Sequence, residues 1–136
     1  MPFICLSSGF NGEIHIQVEK TVDTELNIPK MLVQIHVENA LKHGIRTLKT
    51  GGKIDIRISK EVKGVKIEIE DNGIGREKSK WVNSGKIGIG LKTIKQIIEL
   101  NNQKSRQKIK QKIIDLKDQK GSATGTLVVL KFIEKG

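Results

Sequence analysis

Two runs in the middle of the chain, KIDIRISK (53–60) and GVKIEIED (64–71), alternate apolar and polar residues along nearly their whole length, with only Glu61, Val62 and Lys63 between them. An extended chain turns successive side chains to opposite faces, so each run carries one apolar and one polar face. A connection this short leaves no room for a crossover, and the pair reads as an antiparallel hairpin. The chain must therefore build a sheet with one face buried and the other wet.

The remaining elements follow from the same periodicities. EIHIQVEK (13–20) alternates with Ile14, Ile16 and Val18 on one side. Two final strands are expected near 108–116 and 125–134, joined by a turn rich in Gly and Ser. Pro29 is expected to open a helix, because its missing N–H is not needed in the first turn. At about 100° per residue, Val33, Val37, Ala40, Leu41, Gly44 and Leu48 gather on one side of that helix, and Glu38, Asn39, Lys42 and His43 on the other. A second amphipathic helix is expected over GIGLKTIKQIIEL (88–100), with Ile87, Leu91, Ile94 and Ile98 at helical spacing. Residues 76–86 are polar and without a clear period, and read as a loop with room for a short helix. This order predicts an α+β fold: a two-layer sandwich with helices on one face of a mixed, mostly antiparallel sheet. The 136 residues suffice for a single domain, 1–136.

Composition narrows the setting. No apolar run approaches the roughly 18 residues of a membrane span, and MPFICLSSGF lacks the layout of a signal peptide. Cys5 is the sole cysteine, which rules out an intrachain disulfide and fits a reducing cytosol. The formal net charge is +10, and residues 101–120 supply half of it, with seven Lys/Arg against two Asp. There Lys108, Lys110 and Lys112 alternate with Ile109 and Ile113, a pattern that protects an exposed sheet edge. With 3% aromatic residues and no Tyr, little surface exists for stacking single-stranded bases, so nucleic-acid binding ranks below a lysine-rich solvated face.

Three segments carry polar chemistry. On the first helix Asn39 and His43 are four apart, as are Glu38 and Lys42, so all four project from one face. An amide oxygen suits a hard cation such as Mg²⁺, which keeps most of its waters and takes other ligands from phosphates. By itself, however, this face also reads as a solvated surface with one Glu38–Lys42 pair. In DNGIG (71–75), Asp-Asn-Gly is an ordinary turn signal after a strand. The same residues would let Asp71 accept a hydrogen bond from an exocyclic amine, with Gly73 and Gly75 leaving room for a flat ring. Gly85, Gly88 and Gly90 precede the second helix, where free N–H groups favour a phosphate chain. The spacing G-x-x-G-x-G is not that of a Rossmann loop, and neither Gly52-Lys53 nor Gly85-Lys86 is followed by Ser or Thr as a Walker loop requires.

As a set, IPKMLVQIHVENALKHGI, IEIEDNGIG, GKIGIGLKTIKQIIELN and GTLVVLKF resemble, in this order and at these distances, the ATP-binding catalytic domain of sensor histidine kinases. The likeness is to the LytS-like branch of the GHKL (Bergerat-fold) superfamily, which also includes DNA gyrase and MutL. It runs from about residue 11 to the end.

The resemblance implies ATP and Mg²⁺ as ligands and a role for each motif. Asn39 resembles the asparagine that ligates Mg²⁺, with Lys42 and His43 near the phosphates. Asp71 resembles the adenine-binding aspartate, above a floor of Gly73 and Gly75. Residues 76–87 look like the ATP lid. Gly88, Gly90 and Leu91 resemble the box whose backbone holds the phosphates, and Thr126 the threonine beside the adenine aspartate. Asn39 and Lys42 are the catalytic candidates. The activity implied is transfer of the ATP γ-phosphoryl group to a histidine on a separate dimerisation domain, with a response regulator downstream. No nucleic acid or membrane contact is implied for this chain, which belongs in the cytoplasm even where the parent protein is anchored in the inner membrane.

The chain also departs from the pattern. Members that hydrolyse ATP as machines carry a Glu where this chain has Ile35, and Glu38 beside Asn39 is what the kinase branch shows instead, so poor hydrolysis is expected. Trp81 in the lid is unusual and is expected to cover the core. No phosphoacceptor segment occurs, and His15, His36 and His43 sit on a strand and in the helix. A fragment of a longer kinase, or a reduced protein, is expected. The rivals are a stand-alone serine kinase of the anti-sigma type, a nucleotide-binding module without transferase activity, and a basic nucleic-acid binder.

Overall fold

The computed structural model describes residues 3–4, 12–20, 22, 28–41, 52–73 and 89–135. In chain order the elements are β1 (Phe3–Ile4), β2 (Gly12–Val18), α1 (Lys30–Asn39), β3 (Gly52–Glu61), β4 (Gly64–Asp71), α2 (Ile89–Lys104), β5 (Gln107–Lys117) and β6 (Ala123–Glu134). The strands form one six-stranded sheet in the order β1-β2-β3-β4-β6-β5. Among the described residues only β2 and β3 pair in parallel, and the other pairings are antiparallel. Among the described residues, no helix is long and apolar enough to cross a membrane.

Period-2 alternation sorts the sheet into its two faces as expected. Ile54 and Ile56 of β3, Val65, Ile67 and Ile69 of β4, and Val128, Leu130 and Phe132 of β6 are all buried on the inner face. Leu32 and Ala40 of α1 and Ile94 of α2 close this core from the helical side, and α1 also packs on α2. Each fully buried Val, Leu, Ile or Phe among these stabilises the fold by about 1.5–3 kcal/mol. The outer face carries charge: Arg57 of β3 lies 2.9 Å from Glu70 and 3.8 Å from Glu68 of β4. Those groups are about a third exposed, so each pair contributes roughly 0–1 kcal/mol and serves chiefly to keep this face wet.

The β3–β4 hairpin turns at Val62–Lys63, where Lys63 takes φ 60. Gly64 follows because a Cβ there would lie 1.9 Å from the Phe132 carbonyl oxygen, so a side chain would push β4 off β6. At the far edge, Lys108, Lys110 and Lys112 are exposed and Ile109 is buried, the arrangement the alternation predicts for a protected edge. The Asn102 amide adds to that protection: its Oδ1 accepts from the Ile109 N–H (2.8 Å) and its Nδ2 donates to the Ile109 carbonyl (3.3 Å).

Two features differ from the expectation. β1 is a two-residue strand, too short to leave any period in the sequence. On α1 the most buried residues are Leu32, His36 and Ala40, each four apart, with Val33, Val37 and Leu41 only partly buried beside them. The apolar stripe is thus centred one position away from Val33 and Val37, because a histidine occupies its middle. Gly44 and Leu48, expected on that stripe, lie outside the described residues, as does Trp81.

Candidate functional site

Asp71 is the last residue of β4 and points to the inner face, where it is only 6% exposed. Its place follows from the alternation that buries Val65, Ile67 and Ile69: the next inward position on the strand is a carboxylate. The backbone N–H groups of Gly73 (2.9 Å) and Thr126 donate to it. Burial still dominates, and it pushes the Asp71 pKa up from 3.8 to about 6, with the two backbone donors opposing and Glu70 adding to the rise. A carboxylate has room for about four donors, so this group retains capacity for an incoming amine.

Thr126 stands directly opposite Asp71 in the β4–β6 register. The strands meet closely there because Gly125 precedes it. A Cβ on Gly125 would lie 1.9 Å from the Asp71 carbonyl oxygen, and its φ of +146 is one that side chains rarely adopt. On the other side, Asn72 ties the strand end to β3: its Oδ1 accepts from the Lys53 N–H (2.7 Å), and its own N–H donates to the Lys53 carbonyl (3.2 Å). The carboxylate is therefore held between three strands.

Asn39 ends α1 and is half-buried, and Ala40 after it keeps helical dihedrals. No group of three or more His, Cys, Asp or Glu that could hold a metal occurs among the described residues. A single amide fits a cation whose other ligands are water and phosphate rather than a protein cage. Gly90 and Leu91 lie in the first described turn of α2. Ile35 packs against the core, so an apolar side chain occupies the position where a water-activating Glu was sought.

The structure thus brings Asp71, Gly73 and Thr126 into contact and places Asn39 on the last α-helical turn of α1 and Gly90 and Leu91 on the first described turn of α2. Lys42, His43, Gly75, Gly88 and the lid segment 76–87 lie outside the described residues. Sequence reasoning missed Gly125, because only the pairing of β6 with β4 brings it against the Asp71 carbonyl. It also passed over His36. That side chain is 3% exposed, its Nε2 lies 2.8 Å from Gln111 Oε1, and burial holds its pKa below 6.5.

The model for histidine kinase-, DNA gyrase B-, and HSP90-like ATPases matches residues 23–135. The chain belongs to this family. Its sequence is 43% identical over 68 residues to the sensor histidine kinase/phosphatase LytS of Staphylococcus aureus (strain MRSA252), a match covering 49% of this chain and 12% of that protein. The chain therefore corresponds to a small part of the curated relatives it matches. Among solved structures, the mycobacterial sensor histidine kinase MprB aligns with TM-score 0.57 at 17% identity, covering 90% of this chain and 83% of that one. The catalytic domain of histidine kinase ThkA aligns with TM-score 0.57 at 18% identity, covering 89% and 78%. At these identities the structural likeness shows the fold, and that fold is the two-layer sandwich of the histidine kinase-type ATPase domain.

Proposed function

We propose that this chain is the ATP- and Mg²⁺-binding catalytic domain of a two-component sensor histidine kinase, and that it transfers the γ-phosphoryl group of ATP to a histidine on a separate dimerisation domain. The observation that carries this reading is Asp71: a buried carboxylate, fixed by two backbone donors at a strand end, in a chain of this ATPase family. Burying such a group costs stability, and carboxyls perturbed in this way cluster at ligand sites.

In this reading Asp71 accepts a hydrogen bond from the purine amine while Gly73 leaves space beside it. Asn39 would hold Mg²⁺, which would neutralise phosphate charge, and Lys42 and His43, three and four residues beyond Asn39, would meet the phosphate oxygens. The backbone of Gly88, Gly90 and Leu91 receives the phosphate chain at the start of α2, the preference of a helix N-terminus for anions. Residues 76–87 close over the nucleotide, and Gly75 completes the floor. Phosphoryl transfer of this type depends on positioning and charge neutralisation more than on covalent chemistry. With Ile35 in the core no carboxylate stands there to activate water, which favours transfer to a protein histidine over hydrolysis. The domain works in the cytoplasm, with a response regulator downstream.

The test is calorimetric titration with ATP, with and without Mg²⁺, followed by mixing with a histidine-bearing helical acceptor domain and γ-labelled ATP. Label on the acceptor histidine is expected. Binding without transfer to any such domain would favour a nucleotide-binding module, and label on a serine of a partner protein would favour the stand-alone serine kinase.

A further inference from the structure

His36 lies on α1 three residues before Asn39, in the middle of the stripe formed by Leu32 and Ala40. Gln111 lies on β5, on the inward face between Ile109 and Ile113. The two side chains meet at 2.8 Å, and because an amide oxygen can only accept, the imidazole Nε2–H is the donor. A polar pair inside an otherwise apolar interface thus joins the helix to the edge strand.

The consequence is geometric. Leu32, Ala40 and the flanking Val33, Ile35 and Val37 hold α1 on the core through apolar contacts, which are not directional and tolerate small slides and rolls of a helix. A hydrogen bond is directional, and a shift that breaks this part-buried one strands the His36 imidazole, 3% exposed, away from water. One axial position and one roll angle of α1 satisfy both partners. Asn39 is carried by the same rigid helix, about 4.5 Å further along its axis, so whatever fixes His36 fixes Asn39.

We propose that His36 is a positioning residue: through Gln111 it sets the register of α1 on the sheet, and thereby places the Asn39 amide where it can serve a metal-bound triphosphate. This rests on the reading of Asn39 given above. Displacements of the order of 1 Å are enough to forfeit such a ligand. The pair therefore governs the metal-dependent part of nucleotide affinity, while the adenine end, held by Asp71, is independent of it.

The test uses the full chain and reads two quantities: the melting temperature, and the ratio of ATP affinity in Mg²⁺ to that in EDTA. In the double variant His36→Leu/Gln111→Leu the buried imidazole and its partly buried amide partner are both replaced by apolar groups of similar size, so the melting temperature stays near that of the native protein. Its affinity in EDTA is unchanged, and its Mg²⁺ enhancement falls at least about fivefold, a loss too small to be local unfolding and too large for an unmoved ligand. If instead the double variant keeps the native enhancement while Asn39→Ala loses it, His36 is purely structural and the proposal is overturned. If Asn39→Ala also keeps the enhancement, the metal reading of Asn39 has failed, and this proposal with it. Should the double variant not fold, Gln111→Glu, which preserves an acceptor oxygen, is expected to keep the enhancement and Gln111→Leu to lose it. Equal enhancement in those two overturns the proposal.

Discussion

Asp71 and Thr126 face each other across the β4–β6 ladder, and the Thr126 backbone N–H donates to the Asp71 carboxylate that ends the neighbouring strand. The sheet itself thus supplies part of the solvation that burial removes. Burial nevertheless wins, and the carboxyl sits near pKa 6. Two of the outcomes below follow from that balance.

Replacing Asp71 by Asn should abolish most ATP affinity, by a hundredfold or more, while leaving the fold intact. The amide keeps an oxygen for the Gly73 and Thr126 donors but carries no charge to bury. At pH 7.5 the variant should therefore be more stable than the native protein, by about 1–2 kcal/mol. Denaturant unfolding and calorimetric titration of the same preparation check both halves; unchanged affinity would remove Asp71 from the site.

The pH dependence has a definite sign. A carboxyl whose pKa rises on folding, here from 3.8 to about 6, binds its proton more tightly in the folded state. Its contribution to stability is full below about pH 3.8 and is lost as pH rises to about 6, leaving a cost on the order of 3 kcal/mol at neutral pH. Relative to Asp71→Asn, the native protein should gain stability between pH 7 and pH 4. ATP affinity should move the opposite way, weakening as pH falls below about 6, because the ionised acid is the better acceptor. Parallel titrations at pH 5 and pH 7.5 distinguish the two trends.

Gly125→Ala should be severely destabilising, by about 2–4 kcal/mol, although the change adds one methyl group. The new Cβ would press on the Asp71 carbonyl at 1.9 Å, and φ +146 is strained for alanine. β6 would move away from Asp71 and weaken nucleotide binding together with the fold. Thermal unfolding with and without ATP reports both effects; a melting temperature within 2 °C of native, on the order of 0.5 kcal/mol, would contradict the close approach.

Asn39→Ala should lower ATP affinity about tenfold or more in Mg²⁺ and little in EDTA. Asn39 is only half-buried, so the truncation should cost less than about 1 kcal/mol of stability. Equal loss with and without the metal would argue that the side chain shapes the fold rather than serving a cation.

Much of the molecule was legible from local pattern. A period of two over 53–60 and 64–71 determined a hairpin with Asp71 turned inward, and strands at 13–20, 108–116 and 125–134 followed from the same rule, because burying one face of a sheet forces alternation whatever the partner. The lysines of β5 announced an edge for the same reason. What only the tertiary structure decided was which residues meet across distance. Gly125 matters because β6 happens to lie beside Asp71, and nothing in its neighbours' periodicity says so. In the sequence the apolar positions turn α1 to the core through Val33 and Val37, and nothing there marks His36 as buried. It is buried because Gln111, 75 residues away, offers a partner. A polar side chain enters a core only when another group satisfies it, and which group that is becomes known only once the chain has folded.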